Sequence, residues 1–348
     1  MLHRSQASVV LVTGPEHGDP AHETLGELGE AAVLRRIFPR LPDAAVALVG
    51  PGDDAAVLAA PDGRYVVTTD TMVHGPDFRL AWSTPHDLGW KAAATNLSDV
   101  VAMGARPTAL LVAVAAPPDT HVSVLEGLAD GLRDACAQLA PGCGVVGGDL
   151  SVSPTLVIAV TAFGDLEGRD AVLRSGARVG DTVAVSGSLG LAAEGLALLF
   201  ERAIDDDGVP DAVRAHALRA EFPEALRAQL TPHPPLADGV AAALAGATAM
   251  LDVSDGLAID ARRIADASGV AIDLDSSAIG SPVALAGGED HALLATFPAA
   301  LAGSGASLPG GFRRIGTVRA GSGLSVDGRP YTERGGWDPY EGWNGGAG

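Results

Sequence analysis

The chain has 348 residues, enough for two domains or one large domain with a substantial core. Its 43 acidic and 23 basic residues give a formal net charge of −20, and Lys91 is the only lysine. This balance leaves no basic stripe and excludes nucleic acid as a partner. The single lysine also excludes a P-loop, because no G-x-x-x-x-G-K-[ST] string can be written around it.

Neither a membrane segment nor a cysteine framework is indicated. The N-terminal region contains an apolar run of only four residues, which is too short for the core of a signal peptide. No stretch approaches the length of about 18 apolar residues that spans a bilayer. Cys136 and Cys143 form neither a disulfide framework nor a metal-ligand pattern. We therefore expect a soluble, cytoplasmic protein with no membrane partner.

The first half of the chain alternates between helical and strand patterns after a flexible N-terminal tail at 1–23. Its best-marked helix has Thr84 as N-cap, Pro85 at the first helical position and Gly104 just past its end. The predicted elements, in chain order, are a helix at 23–38, a strand at 64–70 ending in Asp70, a helix at 85–103, a strand at 108–116, a helix at 121–139, a strand at 144–149 ending in Asp149 and a strand at 155–165.

The second half repeats this alternation after a break. Residues 166–180 are rich in charge and glycine with little periodicity, so we place a junction there, between domains at 24–165 and 181–348. Both domains are expected to be α/β or α+β. The predicted elements are strands at 182–187, 249–255, 270–275, 291–297 and 312–319, helices at 189–200, 236–247 and 256–268, and one or two surface helices within 201–235.

Acidic residues recur at one kind of position, at or just past the end of an apolar strand or turn. A single Asp there is usually a turn or capping residue, but several that follow the same rule favour a shared site. Strand ends collect ligands in layered α/β folds, and carboxylates flanked by Gly, Ser and Thr are hard oxygen ligands that suit Mg²⁺. These acids are Asp53, Asp54, Asp70, Asp149, Asp252 and Asp255.

A further acid, Asp99, lies on the well-capped helix. It is spaced at intervals of four from Thr95 and Lys91, so the three side chains share one helix face, with Asn96 beside them. This arrangement predicts that the helix contributes to the same site.

Other patterns in the sequence carry less chemistry. Gly142, Gly144 and Gly147 form a G-x-G-x-x-G string, but it precedes a strand instead of opening a helix, so it does not indicate a dinucleotide site. The histidines have no zinc-binding spacing and are expected to be surface or core residues. Cys143 is more plausible as a small buried residue than as a nucleophile.

Taken in order, the motifs resemble those of the thiamine-monophosphate kinase family, in the superfamily of aminoimidazole ribonucleotide synthetase. The match runs from about residue 26 to residue 340, nearly the whole chain, and the combination of motifs is far more specific than any one of them. They are GPGDDAAVL, TTDTMVHGPDFRLAW, KAAATNLSDVVAMGARP, VVGGDLS, LRSGARVGD, LDVSDGL, GGEDHAL and GWDPYEG.

The resemblance implies a reaction and a fold. ATP would phosphorylate thiamine monophosphate to thiamine diphosphate by direct in-line transfer, with several Mg²⁺ ions and no phospho-enzyme. The two-domain, synthetase-like fold would have an N-terminal α/β domain, whose sheet forms a barrel with a second copy in a homodimer, and a C-terminal α+β domain. These expectations agree with the charge of the chain, because carboxylate-held metal ions are the available neutralisers of phosphate charge, with Arg174 assisting.

The resemblance also assigns roles to individual positions. The catalytic carboxylates fall on Asp54, Asp70, Asp99, Asp149 and Asp255. The metal ligands fall on Asp54, Thr68, Thr69, Asp70, Asp99, Asp149, Asp252 and Asp255. The nucleotide contacts fall on Gly148, Asp149, Arg174 and Ser254. The substrate contacts fall on Asp77, Glu289, Trp337 and Tyr340.

The chain departs from the family pattern on the substrate side. Asp77 stands where the family commonly has a histidine, and His74, three residues earlier, is an alternative for that role. The segment before Glu289 is also shorter than the family pattern. Two other functions therefore stay open at this point: another ATP-dependent synthetase of the same superfamily, or a catalytically inactive relative that binds thiamine phosphates or nucleotide.

Overall fold

The structure is a computed structural model that describes residues 23–51, 56–303 and 307–336. Its strands are β1 (Ala47–Val49), β2 (Val57–Leu58), β3 (Val66–Val73), β4 (Arg106–Ala116), β5 (Gly144–Val152), β6 (Val157–Asp165), β7 (Thr182–Ser186), β8 (Ala249–Val253), β9 (Ala271–Leu274), β10 (Ala292–Phe297), β11 (Arg313–Arg319), β12 (Gly323–Val326) and β13 (Arg329–Pro330).

The helices connect and cover these strands. They are α1 (Leu25–Leu28), α2 (Glu30–Ile37), α3 (Pro85–Ala102), α4 (Val122–Leu139), α5 (Leu191–Arg202), α6 (Ala212–Glu221), α7 (Pro223–Leu230), α8 (Leu236–Leu244), α9 (Leu257–Ser268), α10 (Ser276–Ile279), α11 (Pro282–Ala286) and α12 (Ala299–Gly303).

The N-terminal half forms a four-stranded sheet in the order β3-β6-β4-β5. β6 is antiparallel to both of its neighbours, whereas β4 and β5 are parallel and are joined through α4. α3 and α4 cover one face of this sheet, and several apolar side chains of the other face stay accessible. Within the described residues, β3 and β5 are the unpaired edges.

The C-terminal half forms a seven-stranded sheet in the order β13-β12-β9-β11-β7-β10-β8. Every neighbouring pair is antiparallel except β12 and β9. α9 packs on this sheet, while α5, α6 and α7 form a separate helical layer around Leu199 and Leu226. The protein is thus a two-domain, mixed α/β molecule, as the sequence pattern predicts.

α3 is the element that the two domains share. Thr84 is its N-cap, as predicted, and forms a capping box, because Thr84 accepts the Asp87 backbone N–H and Asp87 accepts that of Thr84. It packs on β3 and β6 in its own domain and on α8 and β8 in the other, so almost all of its residues are buried. A polar residue on α3 therefore faces one of these interfaces.

Two glycines bring α3 and α4 unusually close. A Cβ on Gly89 would lie 2.0 Å from the Leu128 carbonyl oxygen, and a Cβ on Gly131 would lie 2.1 Å from that of His86. Only the absence of a side chain at both positions permits this backbone-to-backbone contact. The close crossing fixes the position of α3 relative to α4 within the N-terminal domain.

The structure corrects three predicted elements. The helix at 23–38 is two helices, because Gly29 adopts φ +72° between α1 and α2. The strands that were expected to end at Asp70 and Asp149 continue for three more residues, to Val73 and Val152, so both acids lie within strands. Pairing with β6 and β4 extends these strands beyond the polar residues that suggested their ends.

The remaining predicted elements match closely. The polar segment after α5 contains two helices, α6 and α7. The strands β12 and β13 have no counterpart among the predictions, because each is too short for its own periodicity to be read. Among the described residues, no helix combines the length and the apolar character that crossing a bilayer requires.

Candidate active site

Four carboxylates from the two domains face one cleft. Asp70 lies on β3 and Asp99 on α3, while Asp252 lies at the end of β8 and Asp255 two residues beyond that strand. Each of the first two is influenced electrostatically by Asp252, so the acids share one region of space although they are up to 185 residues apart. We call Asp70, Asp99, Asp252 and Asp255 the acidic cluster.

Local bonds hold the N-terminal members of the acidic cluster. The Thr68 hydroxyl donates to the Asp99 carboxylate at 2.9 Å, which ties β3 to α3. The backbone N–H of Asp70 donates to the Asn96 side-chain oxygen at 3.2 Å, one further link between the same two elements. The predicted face of α3 therefore does reach the neighbouring strand.

Thr69 points to the other face of the sheet. Its hydroxyl donates to the Val160 carbonyl at 3.0 Å and accepts from the Thr161 hydroxyl at 3.1 Å. The side chain is thus occupied by contacts along β6, whereas its neighbours Thr68 and Asp70 face the cleft, as the alternation of a strand requires.

The negative charges of Asp70 and Asp99 are not fully compensated by neighbouring basic groups. Burial raises the pKa of Asp99 to about 7, and the charges of Asp252 and Asp70 add to the rise. Burial likewise raises the pKa of Asp70; His291 opposes this, and Asp252 and Asp255 reinforce it. Carboxylates that repel each other in a cleft of this kind favour a cation between them.

His291 is a basic group that adjoins Asp252 in the acidic cluster. Its Nδ1 lies 3.2 Å from Asp252 Oδ2, and both side chains are almost fully buried. Burial opposes protonation, but the hydrogen bond and charge of Asp252 raise the pKa of His291 overall. This histidine has no zinc-type spacing in the sequence, and the pairing of β10 with β8 brings it beside Asp252.

Asp255 belongs to a loop that Asp260 and Arg263 organise. Asp260 accepts the backbone N–H groups of Asp255 and Gly256 at 3.2 Å, and Arg263 pairs with both carboxylates, at 2.5 Å for Asp255 and 2.6 Å for Asp260. Burial raises the pKa of Asp260 to about 7 in spite of Arg263. Asp260 thus fixes the backbone of this loop, and no motif in the sequence indicates that role.

A second set of polar side chains surrounds Glu289, which the sequence predicts to be a substrate contact. Lys91 on α3 pairs with Glu289, and Gln229 on α7 donates to the same Glu289 oxygen at 2.8 Å. Burial raises the pKa of Asp77, the charge of Glu289 adds to the rise, and Lys91 opposes it, so all three charges are close. The structure thus brings together Asp77 and Glu289, as expected, and adds Lys91 and Gln229.

The alternative candidate His74 adjoins Asp77 in the loop after β3. Burial, followed by the charge of Arg79, lowers the pKa of His74, and its ring packs against Phe78 at 5.6 Å. Asp77 itself accepts the Val73 backbone N–H at 2.7 Å, which closes the loop. Both side chains therefore stay candidates for the substrate-side role.

Asp149 and Gly148 lie elsewhere within the protomer. β5 is at the opposite edge of the sheet from β3, and register pairs align Asp149 with Ala113, then Ala159, then Thr71. Three strand spacings, about 14 Å, separate the two edges. A Cβ on Gly148 would lie 1.9 Å from the Val112 carbonyl oxygen, so this glycine is required by strand packing in any case.

The nucleotide-side residues of the C-terminal domain are also spread out. Arg174 is exposed near the start of β8, where the preceding residue accepts the Met250 backbone N–H at 3.0 Å. Ser254 lies past the other end of that strand, and its carbonyl accepts the Glu289 backbone N–H at 2.7 Å. The structure places Ser254 at the cleft and Arg174 away from the acidic cluster.

Three predicted residues, Asp54, Trp337 and Tyr340, lie outside the described part of the chain, as does Asp53. Within the described part, no three His, Cys, Asp or Glu side chains are arranged around one metal position. The roles of the residues outside the described part of the chain therefore stay predictions.

Comparison with known proteins identifies the class. The N-terminal domain model of AIR synthase related proteins matches residues 52–166, and the corresponding C-terminal domain model matches residues 178–301. Together they cover most of the chain and place it in the AIR synthase-related class, in agreement with the two-domain fold.

Individual relatives narrow this class. Thiamine-monophosphate kinase of Mycobacterium tuberculosis is 43% identical over 335 residues, covering 91% of this chain and 93% of the relative. That of Corynebacterium glutamicum is 42% identical and covers 85% of this chain and 87% of the relative. The chain belongs to the thiamine-monophosphate kinase family. This membership confirms the family and the enzyme class that the sequence motifs predict.

Solved structures agree with this membership. Thiamine-monophosphate kinase from Stenotrophomonas maltophilia superposes with a TM-score of 0.72 at 34% identity, covering 87% of this chain and 98% of that one. AaThiL complexed with AMPPCP and TMP superposes with a TM-score of 0.66 at 31% identity, covering 90% and 98%. That relative binds an ATP analogue and the monophosphate substrate in one complex.

Proposed function

We propose that this chain transfers the γ-phosphoryl group of ATP to thiamine monophosphate, giving thiamine diphosphate and ADP. The observation that carries the proposal is the acidic cluster, built from both domains of a member of the thiamine-monophosphate kinase family. Two substrates that each bear phosphate need their charge neutralised before they can approach each other. A cleft lined by carboxylates and served by one buried lysine can do this only with bound cations.

The donor set suits Mg²⁺. Carboxylate and hydroxyl oxygens are hard ligands, and burial, together with the charges of neighbouring acids, raises the pKa values of Asp70 and Asp99, so a divalent cation would relieve an unfavourable charge. We assign the Mg²⁺ ions to Asp70, Asp99, Asp252 and Asp255, with Thr68, Asp54 and Asp149 as further ligands that the family resemblance implies. The resemblance also implies Thr69, but its hydroxyl lies on the other face of the sheet from Thr68 and Asp70. When bound, the ions would neutralise charge on the transferred phosphoryl group and orient it.

The other predicted site residues are assigned to binding and positioning the two substrates. Ser254 and Gly148 are assigned to the nucleotide, together with Arg174, whose guanidinium can pair with phosphate. Asp77 and Glu289 are assigned to thiamine monophosphate, with Trp337 and Tyr340 as aromatic contacts. The transfer is proposed to be direct and in line, without a phospho-enzyme, as the family resemblance implies.

We further propose a homodimer in which the four-stranded sheets of two copies close into a barrel. The outer face of the sheet contributes Leu111 and Phe163 to a cavity of about 1070 Å³, and Val67 and Val152 are more than half exposed. Apolar faces and unpaired strand edges of this length favour association. Pairing of β3 with β5 of the second copy would bring the strand that carries Asp149 of the partner subunit beside the strand that carries Asp70.

Subunit mixing tests this dimer. We expect Asp70→Asn and Asp149→Asn homodimers to be inactive, and a mixture refolded together to recover about a quarter of wild-type activity, because half of the dimers would carry one intact site of two. Failure to recover activity in a demonstrated heterodimer would contradict a site shared between subunits. Light scattering would establish the dimer independently.

The finer organisation follows the sequence-based assignment. We propose domain limits at 24–165 and 181–348, joined by the segment 166–180, and a cytoplasmic location, where ATP and Mg²⁺ are supplied together.

An ADP-release assay tests the reaction. We expect turnover with thiamine monophosphate and Mg²⁺, and none with free thiamine or with aminoimidazole ribonucleotide precursors. Thorough chelation should abolish turnover, and added Mg²⁺ should restore it. ADP release with an aminoimidazole precursor instead would favour a synthetase, whereas binding of both substrates without ADP release would favour an inactive relative.

A further inference from the structure

We propose that Lys91 and Gln229 are positioning residues that hold Glu289 as the recognition carboxylate for the cationic thiamine part of the substrate. This inference deepens the proposed function and depends on it. It assigns a role to the only lysine of the chain and to a buried glutamine that no motif singles out.

Lys91 is committed to Glu289. Its side chain is only 7% exposed, and its ammonium group pairs with Glu289 Oε2 across 198 residues of sequence. A lysine buried in this way cannot swing out to neutralise a phosphate group without leaving Glu289 unpaired. It therefore acts on the substrate through the carboxylate that it holds.

Gln229 supports the same oxygen from α7. Its Nε2 donates to Glu289 at 2.8 Å, while its Oε1 is buried and has no hydrogen-bond partner in the described structure. A buried acceptor without a partner destabilises a protein, so stability alone would favour an apolar residue of the same size. Reversing the amide would place Oε1 against the carboxylate. What Gln229 provides in this orientation is its bond to Glu289.

The backbone fixes Glu289 as firmly as its side-chain partners do. Glu289 has φ +68° and His291 has φ +49°, values that non-glycine residues adopt at a cost in free energy. The Glu289 N–H donates to the Ser254 carbonyl at 2.7 Å, and a Cβ on Gly288 would lie 2.8 Å from the same oxygen. The loop is thus held in a strained form that presents this side chain.

Glu289 nevertheless stays available to a ligand. Its side chain is 37% exposed, beside Asp77 and next to the loop of Ser254. A carboxylate with its orientation fixed and one oxygen occupied can pair with a ring cation or accept an N–H bond, and it repels phosphate. Of the two ends of thiamine monophosphate, it therefore suits the thiazolium and aminopyrimidine end.

Two substitutions test the inference. Gln229→Met removes the bond to Glu289 together with the unpartnered acceptor, and Lys91→Met removes the ion pair. We expect each variant to raise the KM and the calorimetric Kd for thiamine monophosphate about tenfold, with KM for ATP within about twofold of wild type. Gln229→Met should keep or raise the melting temperature. Gln138→Met, at an exposed position on α4, is the matched control and should change nothing.

A double substitution separates positioning from direct contact. If Lys91 acts through Glu289, Lys91→Met should add little to the effect of Glu289→Gln on thiamine monophosphate binding. Additive effects, unchanged KM for thiamine monophosphate in Gln229→Met, or equal losses for both substrates would overturn the inference. A wild-type enzyme without thiamine monophosphate kinase activity would instead refute the proposed function, so the two failures are distinguishable.

Discussion

Two carboxylate sites adjoin the loop at 287–291, the acidic cluster and Glu289 of the loop itself, and they differ in how their charge is balanced. In the acidic cluster, Asp70 and Asp99 repel each other and Asp252, and His291 is the basic group that acts on them. Glu289, by contrast, has Lys91 and Gln229 on one of its oxygens, and these partners lower its pKa although desolvation acts to raise it.

The difference separates two uses of a carboxylate. Acids that repel each other leave room for cations from solution, so their geometry is completed only when those cations bind. A carboxylate that the protein itself neutralises and orients is already complete, and it can recognise a substrate without further ordering. Substitutions in the acidic cluster should therefore reduce kcat without loss of stability, whereas substitution of Glu289 should reduce stability with a smaller effect on kcat.

The largest effect is expected in the acidic cluster. Asp99→Asn should reduce kcat by about a thousandfold or more, because a metal ligand is lost, and should not lower the melting temperature, because a repulsion is relieved. Steady-state kinetics and calorimetry on the same preparation measure both. Asp119→Asn, at an exposed acid with no role in the cleft, is the control. A destabilised variant with near-normal kcat would contradict the contrast between the two groups.

Glu289→Gln should show the reverse pattern. It leaves Lys91 buried without its counter-charge, so we expect a lower melting temperature and a KM for thiamine monophosphate raised about tenfold to a hundredfold, with a smaller change in kcat. Thermal unfolding and initial-rate kinetics with both substrates varied would measure this. A variant as stable as wild type would show that the charge of Lys91 does not depend on Glu289 for its compensation.

Stability should depend on pH and Mg²⁺ in a way that identifies the acidic cluster. The pKa values of Asp99 and Asp260 are both raised to about 7 in the folded protein, above those of the unfolded chain. The folded state holds these protons more tightly, so their stabilising contribution is present below about pH 4 and is lost as the pH rises through 7. The melting temperature of chelated protein should fall between about pH 5 and pH 8, and Mg²⁺ should reduce that fall; a rise with pH after chelation would contradict it.

The smallest effect is expected at Asp77. Asp77→His removes a negative charge beside Glu289 and restores the residue that the family commonly has, at the cost of the bond to the Val73 N–H. We expect kcat within about threefold of wild type and an equal or lower KM for thiamine monophosphate. Complete loss of turnover would show that Asp77 has a necessary role of its own, while loss in His74→Ala alone would assign the role to that histidine.

Local signals in the sequence were reliable where they concern a few neighbouring residues. The N-cap at Thr84, the long helix after it and the alternation of helices and strands follow from residue type and spacing alone. The ends of β3 and β5 did not, because ladder partners on β6 and β4 carry both strands past their acids. Strand ends depend on neighbours that the local sequence does not contain.

The candidate site was predicted in its residues more fully than in its geometry. The motifs named Asp70, Asp99 and Asp252, which do meet in the cleft, but also Asp149, which lies on the far edge of the sheet within the protomer. They missed Gln229 and the pairing of Lys91 with Glu289. A closer reading of Lys91 could have found that pair, since a sole lysine on the face of a buried helix needs an acidic partner.

The sequence by itself determined the family, the alternation of elements and the supply of carboxylates, because these depend on residue identity and short-range spacing. The tertiary structure alone decided which carboxylates are compensated. Charge interactions depend on separation and burial, and both are set when α3 packs between the two domains and brings Asp99 to Asp252 and Lys91 to Glu289. α3 thus carries both Asp99, whose charge calls for a bound cation, and Lys91, whose charge neutralises Glu289.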